Sequence, residues 1–213
     1  MKINYKKSNV MLYNPIRRGI DFQPEIKIDG NYLEVKDNIR LVGFHLTDNL
    51  AWHKNTESLV NRAYMKLWIL RRLKALGATK KMLKLVYFQH VRSKLEFGSP
   101  AWDGAITDNE RKKIERVQRV ALSLIFGRNI SYEKLLVISG VERLETRRKR
   151  ISLKFAMKAV KHPKFKSWFK LIEPDKTGVR AHYETNRGRQ KRILKSPIPY
   201  LTKLLNKHNG YHT

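Results

Sequence analysis

Two arginine-rich runs are the residues whose type and spacing best fit a chemical role. They are Arg71 and Arg72, and Arg147, Arg148 and Arg150. On a helix whose other face is apolar, such guanidinium groups would point outward about 5 to 6 Å apart, a spacing suited to a phosphate backbone. The alternative is an ordinary solvated face with salt bridges to Glu142 and Glu145. The residues alone leave both interpretations open.

Catalytic chemistry has no comparable support. A polymerase needs paired carboxylates to hold two metal ions, whereas the aspartates here are scattered, mostly beside Gly, Asn or a helix start, where turn and capping roles explain them. They are Asp21, Asp29, Asp37, Asp48, Asp103, Asp108 and Asp175. One histidine pair, His208 and His212, stands four residues apart, but Gly210 between them interrupts the helix that a metal site of this kind requires. The glycines form neither a phosphate loop nor a nucleophile elbow. We therefore expect no catalytic residue, no metal site and no cofactor in this chain.

The charge balance favours a polyanionic partner. The 213 residues include 46 Lys and Arg against 18 Asp and Glu, a formal net charge of +28. Such a chain attracts nucleic acid at long range and releases counterions when it binds. General solubilisation of the surface and contact with an anionic membrane are the alternatives.

The absence of cysteine from the sequence excludes a disulfide framework and thiolate chemistry, which fits an intracellular protein. No run approaches the roughly 18 apolar residues of a membrane span, and the basic N-terminus does not resemble a secretory signal. The basic cluster at residues 187–195 fits either a nuclear address or a tail that contacts phosphates.

The elements that would position these residues begin with a β-rich segment at residues 1–52. Alternating apolar positions at 9–13 and 25–28 predict strands, and Asp29-Gly30 predicts a hairpin turn. Residues 39–52 combine a two-residue alternation, a tight polar turn and the start of a helix. The whole segment is typical of the edge of a β-sheet.

Five helices are predicted after it. Their spans are residues 56–76, ended by Gly77; 79–95, with Thr79 as N-cap; 107–126, with a Thr107–Glu110 capping box; 132–139, closed by Gly140; and 144–160. The second helix is dense in apolar side chains, so we expect it to be mostly buried.

Apolar stripes predict the inward faces of these helices. The inward residues are expected to be Leu59, Ala63, Leu67, Leu70 and Leu73 in the first helix, Ile114, Val117, Ala121 and Leu124 in the third, and Leu144, Ile151, Phe155 and Ala159 in the fifth. Trp68 stands among apolar neighbours, so we expect it to pack in the core rather than to stack on a base. Trp102 and Trp168 fit either role.

Basic residues dominate beyond Pro174, so this segment has little reason to form a core of its own. Residues 198–205 are the exception and predict a short docked helix. The sequence as a whole predicts an α+β fold in three parts: a short β segment at 1–52, a mainly α-helical bundle at 53–161 and a basic extended tail at 162–213.

Five short segments of the sequence are informative because of the order in which they occur. They are residues 3–13, containing Asn4, Lys7 and Met11; 39–52, containing Leu41-Val42-Gly43-Phe44; 95–102, Leu-Glu-Phe-Gly-Ser-Pro-Ala-Trp; 114–122, containing Val117-Gln118-Arg119; and 144–148, Leu-Glu-Thr-Arg-Arg. Taken together they resemble the downstream part of a non-LTR retrotransposon reverse transcriptase of the LINE or jockey-like class.

This resemblance implies the last palm strands, a primer-grip-like hairpin at Leu41, Gly43 and Phe44, and a helical thumb that holds the template–primer duplex. The family's tetrapeptide at the hairpin is Tyr-Leu-Gly-Val, and Leu-Val-Gly-Phe keeps its hydrophobic pattern. The family's catalytic acids lie in an Ala-Asp-Asp hairpin upstream of the segment at Asn4, and this sequence lacks that motif. We therefore expect no polymerisation from the chain, because the Mg²⁺ of the parent enzyme would bind at the missing site.

The resulting hypothesis is a reverse transcriptase fragment that binds an RNA or RNA–DNA duplex without sequence preference. The expected phosphate contacts are Lys6, Lys7, Arg71, Arg72, Arg147, Arg148 and Arg150. Three alternatives stand beside it: a basic helical module for a protein partner, a non-functional pseudogene product, and a chain that does not fold stably on its own because a palm fragment exposes a sheet edge.

Overall fold

The computed structural model describes residues 4, 7–13, 25–173, 181–185 and 195–210. It shows an α+β architecture dominated by helices, which confirms the predicted fold class. The chain divides into two compact units, Met1–Leu59 and Val60–Thr213. The predicted boundary after residue 52 precedes this division, and the predicted tail at 162–213 belongs to the second unit.

Short strand pairs make up much of the first unit. The strands are β1 (Asn9–Val10), β2 (Lys27–Ile28), β3 (Asn31–Tyr32), β4 (Glu34–Val35), β5 (Asn38–Leu41) and β6 (Phe44–Thr47). β1 pairs with β4 in parallel, whereas β2–β3 and β5–β6 are antiparallel hairpins. The predicted turn joins β2 to β3, with φ of 49° at Asp29 and 77° at Gly30. Positive φ at both central residues is the backbone of a type I′ hairpin turn.

Helices form most of the second unit. They are α1 (His53–Ala75), α2 (Lys80–Val86), α3 (Ser93–Glu96), α4 (Ser99–Trp102), α5 (Asp108–Phe126), α6 (Tyr132–Ser139), α7 (Leu144–Ala159) and α8 (Pro197–His208). α1 begins in the first unit, before the predicted start at residue 56. A π-helical turn, Tyr87–Arg92, joins α2 to α3, and a strand pair, β7 (Leu171–Ile172) with β8 (His182–Tyr183), precedes α8.

The predicted capping box fixes the start of α5. The Glu110 N–H donates to Thr107 Oγ1 at 3.3 Å, and the Thr107 N–H donates to Glu110 Oε2 at 2.6 Å. Two N–H groups that a helix start leaves without partners are thereby satisfied. Ile114, Val117 and Ala121 are fully buried, so one face of α5 packs in the core and its opposite face is free for solvent.

The second predicted helix is interrupted by the π-helical turn. Its buried side chains recur every four residues: Leu83, Tyr87, Val91 and Leu95. A regular α-helix turns about 100° per residue, so this stride drifts by about 40° per step, and the wider turn offsets part of the drift. Met82 and Leu85 are more than half exposed. The prediction of a mostly buried element is therefore wrong, because this helix buries one face only.

The inward face of α7 differs from the predicted stripe. The buried residues are Leu144, Arg148, Ser152, Ala156 and Ala159, whereas Phe155 is 40% exposed. Two polar side chains thus occupy positions where an apolar pattern was expected. Since a stripe is assigned from apolar residues alone, a polar residue that finds a partner inside the core, as Arg148 does in Asp103, shifts the apparent face.

The predicted docked helix near the C-terminus is confirmed as α8. Its Leu201 and Leu205 join Ala156, Ala159 and Phe169 in one buried cluster. Asn206 also fastens β8, because its side chain exchanges two hydrogen bonds of 2.8 Å with the backbone of Tyr183. In the described ranges of the chain, no helix combines the length and apolar character needed to cross a membrane.

Candidate nucleic-acid interface

The exposed face of α5 carries a row of cations. Lys112, Arg116 and Arg119 are exposed and stand at i, i+4 and i+7, which places them on one side of the helix. The buried residues Ile114 and Val117 lie on the other side. Because the apolar face fixes the rotation of α5, it also fixes the direction of this row.

An open groove of about 760 Å³ runs beside the row. Its lining comprises Arg71, Lys112, Glu115, Arg116, Arg119, Val120, Ser123, Leu124, Arg128, Tyr132 and Arg143. We call it the basic groove. α1, α5, α6 and the loops after α5 and α6 supply these side chains. Lys74 Nζ donates to the Leu124 carbonyl at 2.6 Å, which ties the end of α1 to the end of α5 next to the groove.

Most cations of the basic groove have no carboxylate partner among the described residues. The unpaired ones are Arg71, Lys112, Arg116, Arg119 and Arg128. Arg143 differs, because it forms an ion pair with Glu133 and lies 5.4 Å from the ring centre of Tyr132. A concave surface lined by charges of one sign focuses its field, so an anion is attracted here more strongly than to isolated surface lysines.

The one acidic residue that lines the groove, Glu115, accepts hydrogen bonds from within the protein. Its Oε1 accepts hydrogen bonds from the Tyr132 hydroxyl and, at 3.2 Å, from the Leu144 N–H. Burial, followed by this hydrogen bond, raises the pKa of the Tyr132 hydroxyl well above its ordinary value. Tyr132 therefore stays a donor at neutral pH, and the carboxylate of Glu115 is partly neutralised by its donors.

A buried glutamine, Gln118, forms hydrogen bonds with several of the elements that carry the groove residues. Gln118 is fully buried and donates to the Tyr132 hydroxyl oxygen at 2.9 Å and to the Glu142 carbonyl at 3.0 Å. It accepts a hydrogen bond from the Tyr87 hydroxyl. α5, α6 and the π-helical turn are joined through this one side chain, so the cations above them stand on a rigid base.

The first predicted arginine run lies at the groove and beside it. Arg71 lines the basic groove, whereas the Arg72 guanidinium carbon lies 5.8 Å from the ring centre of Trp68. Trp68 is 59% exposed, so the prediction that it packs in the core is wrong. Its apolar sequence neighbours occupy other faces of α1. Lys7 is an exposed residue of the first unit, and Lys6 lies outside the described residues.

The second predicted run is occupied by internal partners. Arg147 contacts Glu96 at 2.5 Å and Glu142 at 3.6 Å, and Arg150 also pairs with Glu142. This arrangement fits the alternative interpretation of the run, a solvated helix face whose arginines form salt bridges within the chain. Neither residue lines the basic groove, so the structure does not bring the two runs together.

Arg148 is part of the core. Its Nε donates to Asp103 Oδ1 at 2.7 Å, and both side chains have 0% exposure. Its Nη1 and Nη2 atoms make no hydrogen bond, and the guanidinium carbon lies 5.6 Å from the ring centre of Trp102. The prediction that Arg148 points outward to phosphate is therefore wrong, because a buried carboxylate holds it inside.

Asp103 is the centre of this buried group. Arg111 donates to its Oδ1 at 3.3 Å and to its backbone oxygen at 2.6 Å, and the Tyr200 hydroxyl donates to Oδ2 at 2.7 Å. Burial and the charge of Asp103 raise the pKa of the Tyr200 hydroxyl. Asp103 is the C-cap residue of α4 and stands in a turn, as predicted, and its side chain also serves a buried ion pair, which the sequence did not indicate.

The primer-grip-like residues lie on the β5–β6 hairpin of the first unit. Leu41 pairs with Phe44 across a turn in which Val42 and Gly43 have φ of 47° and 87°. Phe44 packs edge-to-face on Trp52, with ring centres 6.2 Å apart, while Leu41 is 53% exposed. The hairpin therefore has an inward side at Phe44 and an exposed apolar tip.

Four of the five unpaired groove cations were missed by the sequence reasoning: Lys112, Arg116, Arg119 and Arg128. The signal for three of them was present, since they repeat at helical spacing on the side of α5 opposite Ile114 and Val117. A search for adjacent arginines passes over such a row. Arg128 sits in a loop and has no periodic signal.

A metal site has no geometric basis in the described ranges, since they hold no group of three or more His, Asp and Glu side chains suited to an ion. Comparison with family models, curated proteins and solved structures finds no match to this chain. The resemblance to non-LTR reverse transcriptases therefore stays a prediction.

Proposed function

We propose that this chain binds nucleic acid through the basic groove, gripping the phosphate backbone without reading the base sequence. The observation that carries the proposal is the convergence of five cations without carboxylate partners on one concave surface. Positively charged grooves that track a backbone are the common solution for sequence-tolerant binding. Arginine adds a planar fork of donors that fits phosphate oxygens.

The dimensions of the cation row support this ligand. From Lys112 to Arg119 the axis of α5 rises about 10 Å, which equals the rise of about three base pairs, at about 3.4 Å each, along the axis of a B-form duplex. Arg71 and Arg128 stand beside the row on other elements. The groove can therefore contact several successive phosphates at once.

We further propose that the chain corresponds to the palm edge and thumb of a non-LTR reverse transcriptase. A hairpin at Leu41–Phe44 followed by helices is the order that the resemblance implies, and a phosphate-gripping groove suits a thumb. Grip and positioning come from such a thumb, while the two-metal chemistry requires paired carboxylates elsewhere. We expect binding of an RNA–DNA duplex and no DNA synthesis by this chain.

The test is the salt dependence of binding, measured by fluorescence anisotropy of a labelled RNA–DNA duplex. Five phosphate contacts predict a slope of log affinity against log salt of about −4 to −5, or a loss of about 500-fold between about 50 and 200 mM. The triple variant Lys112→Gln, Arg116→Gln and Arg119→Gln should flatten that slope by about 2 to 3.

The chain offers a matched control on the exposed side of α7 and in the turn that follows its end. Lys154, Lys158 and Lys161 are exposed at the same i, i+4 and i+7 spacing, so their replacement by Gln removes the same charge elsewhere in the second unit. We expect this control to leave the slope within one contact of the wild type. Equal effects of the two triple variants would contradict the groove. Displacement of the duplex by an acidic protein, together with failure of unlabelled RNA to compete, would favour a protein partner instead.

A further inference from the structure

The side chain of Trp68 is a large apolar surface left in water beside the basic groove. It is 59% exposed, and Met65, about one turn earlier on α1, is 66% exposed. The Arg72 guanidinium carbon lies 5.8 Å from the Trp68 ring centre. A flat aromatic ring flanked by a cation is suited to a ligand that is flat, apolar on its faces and linked to negative charge.

The position of Trp68 connects it to the groove. On α1, Arg71 lies about 60° to one side of Trp68 and Arg72 about 40° to the other, as follows from about 100° per residue. Arg71 lines the basic groove. Trp68 therefore lies on α1 between a groove cation, Arg71, and a second arginine, Arg72.

We propose that Trp68 and Arg72 form a stacking site for an unpaired base of the nucleic acid whose phosphates occupy the basic groove. This inference rests on the proposed function and deepens it, because it names the ligand as a strand with unpaired bases next to the gripped backbone. A base inside a continuous duplex offers only its edges, since both of its faces are covered by neighbours. A base in a single-stranded overhang offers a free face to the indole.

Charge complementarity favours this occupant over an apolar protein segment. The two side chains that flank Trp68 on its C-terminal side along α1, Arg71 and Arg72, both carry positive charge, and each nucleotide brings a phosphate with its base. A purely apolar partner would leave both guanidinium groups without a counterion at the contact. Stacking on an aromatic side chain is sequence-tolerant because every base has a π-face.

The experiment compares three ligands with the full chain at one salt concentration. They are a blunt RNA–DNA duplex, the same duplex with a short single-stranded RNA overhang, and that overhang with abasic sugars. The wild type should bind the overhang with bases about tenfold more tightly than the abasic one. Trp68→Ala should abolish this preference while the salt slope stays that of the wild type, and Trp68→Phe should keep part of it.

Met65→Ala is the matched control, since it removes a neighbouring exposed apolar side chain without removing an aromatic ring. It should retain the preference. Trp68 fluorescence, taken as the difference between the wild type and Trp68→Phe, should be quenched by the overhang with bases and not by the abasic one. Equal affinity of the wild type for the two overhangs would overturn the stacking site.

The failure of this inference and that of the proposed function are distinguishable. Equal affinity for both overhangs with a steep salt slope removes the stacking site and keeps the groove. A salt slope unaffected by the triple variant in α5 removes the groove itself. Since Trp68 lies on the surface, Trp68→Ala should keep the helical circular dichroism of the wild type, and a lower thermal midpoint without loss of base preference would assign Trp68 a structural role instead.

Discussion

A charged side chain in the protein interior is costly unless a partner of opposite charge stays with it, so we expect the stability of the second unit to depend on Asp103. Arg148 is fully buried, and Asp103 is its one ion-pair partner among the described residues. Asp103→Asn keeps the shape and removes the charge, so we expect the free energy of unfolding to fall by about 3 to 5 kcal/mol in urea denaturation.

Asp108→Asn is the matched control, because Asp108 contacts Arg111 at 3.9 Å with a side chain that is 97% exposed. An exposed pair of this kind contributes about 1 kcal/mol or less. Replacing both fully buried partners, Asp103→Leu with Arg148→Met, should recover much of the lost stability, since no fully buried charge is then left unpaired and Arg111 keeps its contact with Asp108. A single Asp103→Asn variant as stable as the Asp108→Asn control would contradict the buried pair.

At the scale of elements, the docking of α8 depends on a glycine. A Cβ added to Gly104 would lie 2.4 Å from the Cγ of Tyr200, and Tyr200 is the residue by which α8 reaches Asp103. Gly104→Ala should therefore push α8 away from α4 and α7. We expect faster amide hydrogen exchange throughout α8, with exchange in α5 changed little.

The double variant Gly104→Ala with Tyr200→Ala tests the cause. It removes the ring that the new methyl group would meet, so the slower exchange in α8 should partly return, although the hydrogen bond to Asp103 is lost. Unchanged exchange in Gly104→Ala would show that the neighbouring backbone absorbs the methyl group without moving α8.

Local sequence signals predicted where helices and turns occur better than they predicted which face of a helix is buried. The capping box at Thr107 and the hairpin turn at Asp29-Gly30 act between near neighbours in the chain, so the sequence contains all that is needed to recognise them. The inward side of α7 depends on Asp103, which lies far from Arg148 in sequence. The periodicity of α7 cannot show that Arg148 pairs with a buried carboxylate, because that carboxylate, Asp103, lies on another part of the chain.

The candidate site shows the same limit. The cation row of α5 could be read from its spacing, whereas the convergence of Arg71 and Arg128 on that row depends on how α1 and the loop after α5 pack against it. The exposure of Trp68 likewise depends on tertiary packing. Its neighbours Leu67 and Leu70 are buried, and the choice between their face and that of Trp68 is made by packing.

At the scale of the whole molecule, the net charge of +28 gives salt opposite effects on the free chain and on the complex. Like charges repel each other in the folded chain, and raising the salt from about 10 to about 150 mM shortens the screening length from about 30 to about 8 Å. We expect the thermal midpoint of the free chain to rise over this range. Bound to an RNA–DNA duplex, the chain is stabilised by ligand binding that weakens as salt increases.

The midpoint of the complex should therefore fall over the same range, and the two curves should converge where binding is lost. Scanning fluorimetry with and without duplex measures both thermal midpoints.

The triple variant Lys112→Gln, Arg116→Gln and Arg119→Gln separates the effect of salt on the free chain from its effect on binding. It should rise less with salt when free, because it has less charge to screen, and should gain less from the duplex at low salt. The control triple at Lys154, Lys158 and Lys161 should match the first change but not the second, since net charge governs self-repulsion while the position of the charge governs binding.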